Sequence, residues 1–436
     1  MSDAVNIFAS DEARRSDGTG GFRTTAEMLR LINQPGYISL AMGGQRLRGL
    51  YQRFSAGFTA NMLKQFALYC FIGQVEQIKR TIDSGQAPDL TGTETPYKFG
   101  YCTFVVAGAQ RGAAVCPGSD PAAALQLLLS SGAPADSEDI VGYTALHHAT
   151  QNAAGGALAL ARILLEAGAS PNHQSRYGEV PILGAFQTGD VDAVELLMEF
   201  GADMDIADAD DVTPRGMFPR AGPRVAAAVT KWLRKRAGEA APMDEKACAQ
   251  CGTAASSLKF CGRCHAARYC SPTCQRAHWP THKRTCQPFD ITTAVTVRPR
   301  YRAAGRILST ADTTRELLGI RSGARPARGR GAHAGQAPSL QPGESKRIII
   351  KVQVPMALDA DGPGAAAPSG DMLVYTKRRD FVCQISKADN ADAYARISRA
   401  VREKGVGGLK AYFPAELNGE DELVVKIGEV LAEQPF

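Results

Sequence analysis

Apolar positions recur at helical spacing through the first half of the chain, and the recurrence itself repeats. Between Ala26 and Phe66 they fall at Met28, Leu29, Leu31 and Ile32, then at Leu50, Phe54, Phe58 and Met62, with a break at Gln34-Pro35-Gly36. That spacing predicts a small helical lead-in. Four apolar segments follow: Val75/Ile78/Ile82, Leu125/Leu127/Leu128/Leu129, Leu160/Ile163/Leu164/Leu165 and Val191/Val194/Leu196/Leu197. Each runs into a Gly-(Ala/Gln)-x-x-(Asp/Asn) turn, at Gly85–Asp89, Gly132–Asp136, Gly168–Asn172 and Gly201–Asp205, with the glycines 47, 36 and 33 residues apart. Units of two helices and a turn at this period stack and bury a continuous core that none buries alone. The 47-residue gap predicts an insertion around Arg111–Pro121, and Arg224–Lys235 predicts a capping helix.

The pattern divides the chain further. Residues 1–24 are polar, with Gly18, Gly20 and Gly21, and predict a disordered leader; 25–237 form the lead-in and repeats; 238–247 predict a linker. Residues 287–346 read as a basic low-complexity linker, disordered over 321–346. From 347 to 436 order returns as an α+β domain. Ile348–Val354, Met372–Tyr375 and Phe381–Ile385 read as strands, Ala391–Glu403 and Glu422–Leu431 as helices, and Asp359–Gly370 as a loop.

With 436 residues the chain is long enough for several domains, and its 44% hydrophobic and 22% charged residues are the balance of a soluble protein. No apolar run reaches the length of a membrane span, and MSDAVNIFASDEARR lacks a signal-peptide core, so an intracellular place, in nucleus and/or cytoplasm, is expected. Charge is uneven. Residues 298–330 hold nine Arg against Asp312 and Glu316; residues 248–286 hold six Lys/Arg and no acid. With a total of +6, the rest of the chain stands at −7: an acidic body with one basic stretch.

Seven of the eleven cysteines lie between 248 and 286, as Cys248-x2-Cys251-x9-Cys261-x2-Cys264-x5-Cys270-x3-Cys274-x7-His282-x3-Cys286. Each C-x2-C pair fits a metal knuckle, with Gly252 and Gly262 suited to the tight turns. Cys270/Cys274 and His282/Cys286 are i, i+4 pairs that share a helix face. Eight ligands fill two tetrahedral zinc sites with none left over and no open position, so both read as structural. So short a segment with few large apolar residues cannot fold on a core, so metal binding must supply about 10–16 kcal/mol per site. Spacing allows sequential or interleaved pairing. His265 and His278 are alternative donors, but eight better-spaced ones already exist.

Two resemblances sharpen this. Gly142-Tyr143-Thr144-Ala145-Leu146-His147 resembles the G-x-T-P-L-H opening of ankyrin repeats, with Ala145 where Pro is usual, and Val180-Pro181-Ile182-Leu183 and Thr213-Pro214 echo it. The likeness is closest over 138–205 and extends over 66–137. It implies an α-solenoid of three to four repeats, the fourth unit truncated, with His147 a buried hydrogen-bonding residue and partner contacts through turns and inner helices. The cysteine run resembles the MYND-type zinc finger, as do Ala267-Arg268-Tyr269-Cys270, Cys274-Gln275 and His278-Trp279-Pro280-x-His282-Lys283. That resemblance implies interleaved zinc ions: Cys248, Cys251, Cys270 and Cys274 on the first, Cys261, Cys264, His282 and Cys286 on the second. It also implies a groove at Gln275 and Trp279 for proline-rich partner segments with a P-x-L-x-P core. The tail ending EVLAEQPF is similar to that of fungal ankyrin–MYND proteins.

The expected function is thus a non-enzymatic, zinc-binding adaptor with two protein-interaction modules. Pro338-Ser339-Leu340-Gln341-Pro342 is itself a P-x-L-x-P sequence, 52 residues beyond Cys286. A flexible linker of that length spans about 40 Å, which permits self-docking of Pro338, Leu340 and Pro342 on the finger. No methyltransferase SET motif, phosphate loop, nucleophile elbow or paired-acid motif is present. The alternative is a transcription-associated regulator that binds nucleic acid nonspecifically through the Arg-rich 298–330 stretch. Only Tyr301 interleaves with those arginines, which gives base stacking little support.

Overall fold

The computed structural model describes residues 16–112, 117–151, 157–238, 247–253, 258–264, 267–284, 286, 293–301, 340, 344–355, 370–428 and 430–431. The chain divides into two compact units, Met1–Met217 and Phe218–Phe436. Among the described residues no helix is long and apolar enough to cross a membrane.

The first unit opens with α1 (Ala26–Ile32) and α2 (Gly44–Ser55) and continues as four helix pairs. These are α3 (Gln65–Ile72) with α4 (Val75–Asp83), α5 (Tyr101–Gln110) with α6 (Pro121–Ser130), α7 (Ala145–Gln151) with α8 (Ala157–Glu166), and α9 (Pro181–Thr188) with α10 (Val191–Glu199); the short α11 (Pro214–Met217) follows. Side-chain caps set several starts. Thr25, Asp120 and Asp190 each accept from the backbone N–H three residues on. The first helices stack in succession, α3 on α5, α5 on α7 and α7 on α9. They bury Leu68, Phe71, Phe104, Leu146 and Ile182. As expected, extra chain lies between α5 and α6; of it, residues 113–116 are outside the described set.

One turn recurs in each unit. Asp139 N–H donates to Tyr143 O, Ser175 N–H to Glu179 O and Asp208 N–H to Val212 O, all at 2.9–3.0 Å. Successive turns are then tied to each other: Ile140 N–H to Tyr97 O, Arg176 N–H to Val141 O, and Ala209 N–H to Tyr177 O. Gly142 explains its own place here. Its φ is +77°, and a Cβ there would lie 2.8 Å from the Arg176 backbone nitrogen.

The lead-in does not stand apart from these turns. Ile38 N–H donates to Arg176 O, and the Arg176 guanidinium donates to the carbonyls of Ile32 and Gln34. Arg48 pairs with Glu179 at 2.9 Å and lies 4.0 Å over the Tyr177 ring. Tyr51 donates to Asp139, Tyr97 donates to the Tyr51 carbonyl, and Leu40 N–H donates to Asp210. Two expectations change. The disorder expected over residues 1–24 does not hold for its last part, because Phe22 is 2% exposed and stacks on Tyr97 at 4.4 Å; residues 1–15 lie outside the described set. Part of the turn row, at Tyr97, Asp139, Arg176, Glu179 and Asp210, is contacted by the chain's own residues between 22 and 51.

The second unit contains α12 (Pro223–Arg236), a two-stranded hairpin of β1 (Lys259–Phe260) and β2 (Arg268–Tyr269), α13 (Pro272–His282), and a six-stranded antiparallel sheet. A helix is present over Arg224–Lys235 as α12, but it groups with the second unit, and its expected role as a cap on the repeats is not shown. The sheet comprises β3 (Ala294–Val297), β4 (Ser345–Gln353), β5 (Met372–Tyr375), β6 (Val382–Ile385), β7 (Lys410–Asn418) and β8 (Leu423–Lys426), in the order β3-β8-β7-β4-β5-β6. Arg300, just past β3, bridges to Gln384 on the far edge strand, so the sheet curls back on itself. α14 (Ala391–Lys404) packs Tyr394, Ile397 and Val401 into its core with Val297, Ile350, Phe413 and Leu423.

Four details depart from the sequence reading. Glu422–Leu431, read as a helix, contains the strand β8: its Leu423 and Val425 face the core, a period of two. β7 is not among the strands read from the sequence, and it contains Pro414, a residue that disfavours a central strand. The β7–β8 ladder spans only Ala415–Leu417, so Pro414 sits beyond it. Residues 294–300, placed in a linker, pair within the sheet. Leu340, half-buried, packs on the sheet's core and not on the finger; Pro338 and Pro342 lie outside the described residues, as do 321–339, 356–369 and nearly all of 238–247.

Candidate metal centre

The cysteine-rich segment is built from two knuckles, one hairpin and one helix. The first knuckle turns at Gly252, whose φ is +70° and whose N–H donates to Cys248 O at 2.8 Å. Gly262 stays outside the left-handed region, so the second knuckle does not need it for that reason. β1 pairs with β2 in the register Lys259↔Tyr269 and Phe260↔Arg268. The hairpin therefore carries Cys261 off the end of one strand and Cys270 off the end of the other. Two further bonds lock it: Ala249 N–H to Arg268 O and Cys261 N–H to Ala267 O, both 2.8 Å. Ser271 then caps α13 by accepting from Cys274 N–H at 3.2 Å, which places Cys274 in the first turn and His282 in the last.

The result is two groups of four donor atoms. In the first, the sulfurs of Cys248, Cys251, Cys270 and Cys274 lie within 4.8 Å of one another; in the second, so do the donors of Cys261, Cys264, His282 and Cys286. Neighbouring sulfurs stand 3.6 Å (Cys251 to Cys270), 3.5 Å (Cys270 to Cys274) and 4.0 Å (Cys261 to Cys286) apart. Cys264 Sγ is 3.3 Å from His282 Nε2. Tetrahedral zinc with bonds of about 2.3 Å to sulfur would set its thiolates about 3.8 Å apart, so both groups fit the ion. Of the two pairings that spacing allows, the structure brings together the interleaved one. The groups differ in exposure: all four residues of the second are buried, whereas Cys251 and Cys270 of the first are exposed.

The donors also compete for protons. Burial raises the Cys248 thiol, but N–H groups of Cys270, Cys251 and Gln250 outweigh it and leave it at about 6. Hydrogen bonding with Cys274, Cys251 and Cys248 holds Cys270 at about 12, and burial with the neighbouring thiols of Cys264 and Cys261 holds Cys286 at about 12. Thiols this close cannot all ionise by themselves; a dication is the group that would let them.

Trp279 is half-buried against the cluster of Cys248, Cys261, Cys264, Tyr269 and Cys286, with its ring edge-on to His282 at 5.9 Å. Gln275, one turn earlier on α13, is likewise half-buried. Trp279 therefore packs on the knuckles and keeps part of its surface outward. His278 joins neither donor group: its Nδ1 is hydrogen-bonded to the Tyr269 hydroxyl at 3.0 Å. Burial raises that hydroxyl to about 12. His265 lies outside the described residues. The sequence reading did not single out Ser271, and a Ser-Pro before Cys274 was the signal that could have found it.

Among the described residues, the other histidines and cysteines join neither donor group. His147 Nδ1 accepts from Thr144 N–H at 3.2 Å and its Nε2 is 3.2 Å from Glu179 O; burial pushes it down to about 3. Cys70, Cys102 and Cys383 are buried, and burial raises each thiol. Cys116 lies outside the described residues. In the Arg-rich stretch, the Arg300 guanidinium is clamped on the Asp389 carboxylate. Tyr301 packs edge-on to Phe381 and donates to Glu420 O, so its ring is spent on the sheet. Residues 302–330 lie outside the described set.

Comparison with known families agrees with this construction. Residues 248–286 match the MYND finger, and residues 113–213 match ankyrin repeats in three copies. The chain thus carries ankyrin repeats and a MYND finger. Among curated proteins it is similar to N-lysine methyltransferase SMYD2-B of Danio rerio, 48% identical over 40 residues, which is 9% of each chain. It is also similar to Histone-lysine N-methyltransferase SMYD3 of Homo sapiens, 35% identical over 66 residues, 14% of each chain. The similarity therefore spans between a tenth and a seventh of these relatives.

Proposed function

We propose that this protein is a non-enzymatic, intracellular adaptor whose finger is held by two structural zinc ions. Cys248, Cys251, Cys270 and Cys274 would hold one and Cys261, Cys264, His282 and Cys286 the other. When bound, each ion supplies charge neutralisation and a fixed tetrahedral anchor. The observation that carries this reading is that each group is complete at four protein donors. A catalytic zinc keeps a position for water or substrate, and neither group has one to spare.

The finger's ligand surface in this reading is the outward part of Trp279 with Gln275. A proline-rich segment with a P-x-L-x-P core suits it, since such a segment is already extended and loses little entropy on docking. Ligands come from other proteins in this account, because Leu340 of the internal P-x-L-x-P sequence is packed on the sheet. The repeats, stacked as a solenoid, offer a second surface beside the turns that the lead-in contacts. Methyltransfer is not part of the proposal, since the likeness to the two methyltransferases is confined to a seventh of their length or less. Nucleic-acid binding as a main activity is weakened by the commitment of Arg300 and Tyr301 to the sheet.

The test is a titration of a labelled P-x-L-x-P peptide into wild type and Trp279→Ala at two salt concentrations, with zinc content measured on each. Salt-tolerant binding by the wild type, lost in a variant that keeps its zinc, supports the reading. Binding unaffected by Trp279→Ala, or steep salt dependence on a generic oligonucleotide instead, contradicts it.

A further inference from the structure

The terminal sheet has a second face that alternation should leave wet. Ile350, Val352, Val374, Ala411, Phe413 and Val425 point into its core. Their strand neighbours Lys351, Tyr375, Lys410, Tyr412 and Lys426 must then point to the opposite side. The register confirms one row: Lys351 stands opposite both Tyr375 and Tyr412. Yet Lys351 is 4% exposed, Lys410 and Tyr375 5%, and Tyr412 and Lys426 0%. A sheet face of lysines and tyrosines is not dry unless something lies on it.

Part of what lies there is the finger. Lys426 Nζ donates to the backbone carbonyl of Cys264 at 3.0 Å. Cys264 belongs to the second knuckle and the second donor group, the one whose four residues are all buried. With zinc bound, three thiolates and a neutral imidazole leave that group at a net −1. A buried ammonium held on the knuckle's own carbonyl offsets this charge and fixes the orientation of the Cys264 peptide. Partners one shell out from a metal commonly govern how tightly it is held. The contact of Lys426 shown here is to this group; the first is the more exposed of the two.

We propose that the outer face of the terminal sheet is the seat of the finger, and that Lys426 is a positioning residue for the buried metal centre. The domain from 344 onward thereby holds the second, buried centre in place, while the first is the more exposed of the two. This rests on the zinc reading above, and the experiment separates the two.

Zinc release from the loaded full-length chain into excess chromogenic chelator would be followed in wild type, Lys426→Met and Lys426→Arg. Wild type should give two phases of one equivalent each, the exposed centre fast and the buried centre slow. Lys426→Met should speed the slow phase by about 10- to 100-fold and leave the fast phase alone; Lys426→Arg should restore most of the difference. A slow phase unchanged in Lys426→Met overturns the inference, as does equal acceleration of both phases. Should Lys426→Met fail to fold, hydrogen exchange on wild type decides. Stripping zinc should cost β8 amides their protection while α7 and α9 keep theirs, and unchanged β8 protection overturns the inference. A wild-type chain that carries no zinc at all would sink the zinc reading itself; two tightly held ions indifferent to Lys426 would sink only this one.

Discussion

Replacing Tyr51 with Phe removes one oxygen from the junction between the lead-in and the repeats. The hydroxyl donates to Asp139 Oδ2 at 2.6 Å, and both residues are buried, at 9% and 5% exposure. Asp139 keeps other support: Val141 and Tyr143 N–H groups donate to Oδ1 at 2.9 and 3.0 Å, and His148 Nε2 lies 3.2 Å from Oδ2. The variant therefore weakens the solvation of one carboxylate oxygen without stranding the charge. A hydrogen bond to a charged partner contributes about 1.5–3 kcal/mol, and with three partners retained we expect about 2 kcal/mol. For a unit of this size that is a fall in melting temperature of roughly 4–8 °C. The assay is thermal unfolding of the full chain by far-ultraviolet circular dichroism, with hydrogen exchange of α2 as a second probe. Exchange in α2 should quicken more than in α9. A melting temperature within 1 °C of wild type, with α2 exchange unchanged, would refute the placement of the lead-in on the repeat turns.

The same unit should be sensitive at both ends of the pH scale. His147 is held neutral down to about 3 against an ordinary value near 6.5, so its stabilising contribution is present above pH 6.5 and is lost as pH falls. Between pH 6.5 and 5 that loss is about 2 kcal/mol, and His147→Gln should flatten the slope of stability against pH by about one proton. Burial raises Tyr51, Tyr97, Tyr143 and Tyr177 above their ordinary range, which stabilises the fold below pH 10 and costs it stability above. Their absorbance at 295 nm should change only as the unit unfolds. In Gly108→Ala the new methyl group would lie 1.6 Å from the Phe71 carbonyl oxygen, so α3 and α5 must part. A loss of about 3 kcal/mol or more is expected, and chemical denaturation with no shift in midpoint would count against the close approach.

The repeats and the finger were legible because each announces itself by period or spacing. Helix pairs follow the Gly-to-Gly interval, but the i, i+4 reading of Cys270/Cys274 and His282/Cys286 holds only in part: α13 carries Cys274 and His282, whereas Cys270 precedes its cap and Cys286 lies past its end. What spacing left open was which knuckle joins which pair. The β1–β2 hairpin settles that in space, by carrying Cys270 to the first knuckle. The terminal domain was the least legible part. Leu423-Val424-Val425-Lys426 is too short to separate a period of two from one of 3.6, and Pro414 conceals β7. Lys426 carried no signal at all, since its partner is a backbone carbonyl 162 residues away. The cover on the repeat turns was hidden for a similar reason: Tyr51, Arg48 and Ile38 reach loops that only the folded chain brings near.

The pairing of ligands is the centre of the account, and cobalt substitution of the full chain reads it directly. A four-thiolate centre and a three-thiolate, one-imidazole centre have separable absorption bands, and wild type should show both. Cys270→Ser should erase the four-thiolate bands and spare the mixed centre. Loss of the mixed centre with the four-thiolate bands intact would mean that the knuckles bind one ion together and the helix the other.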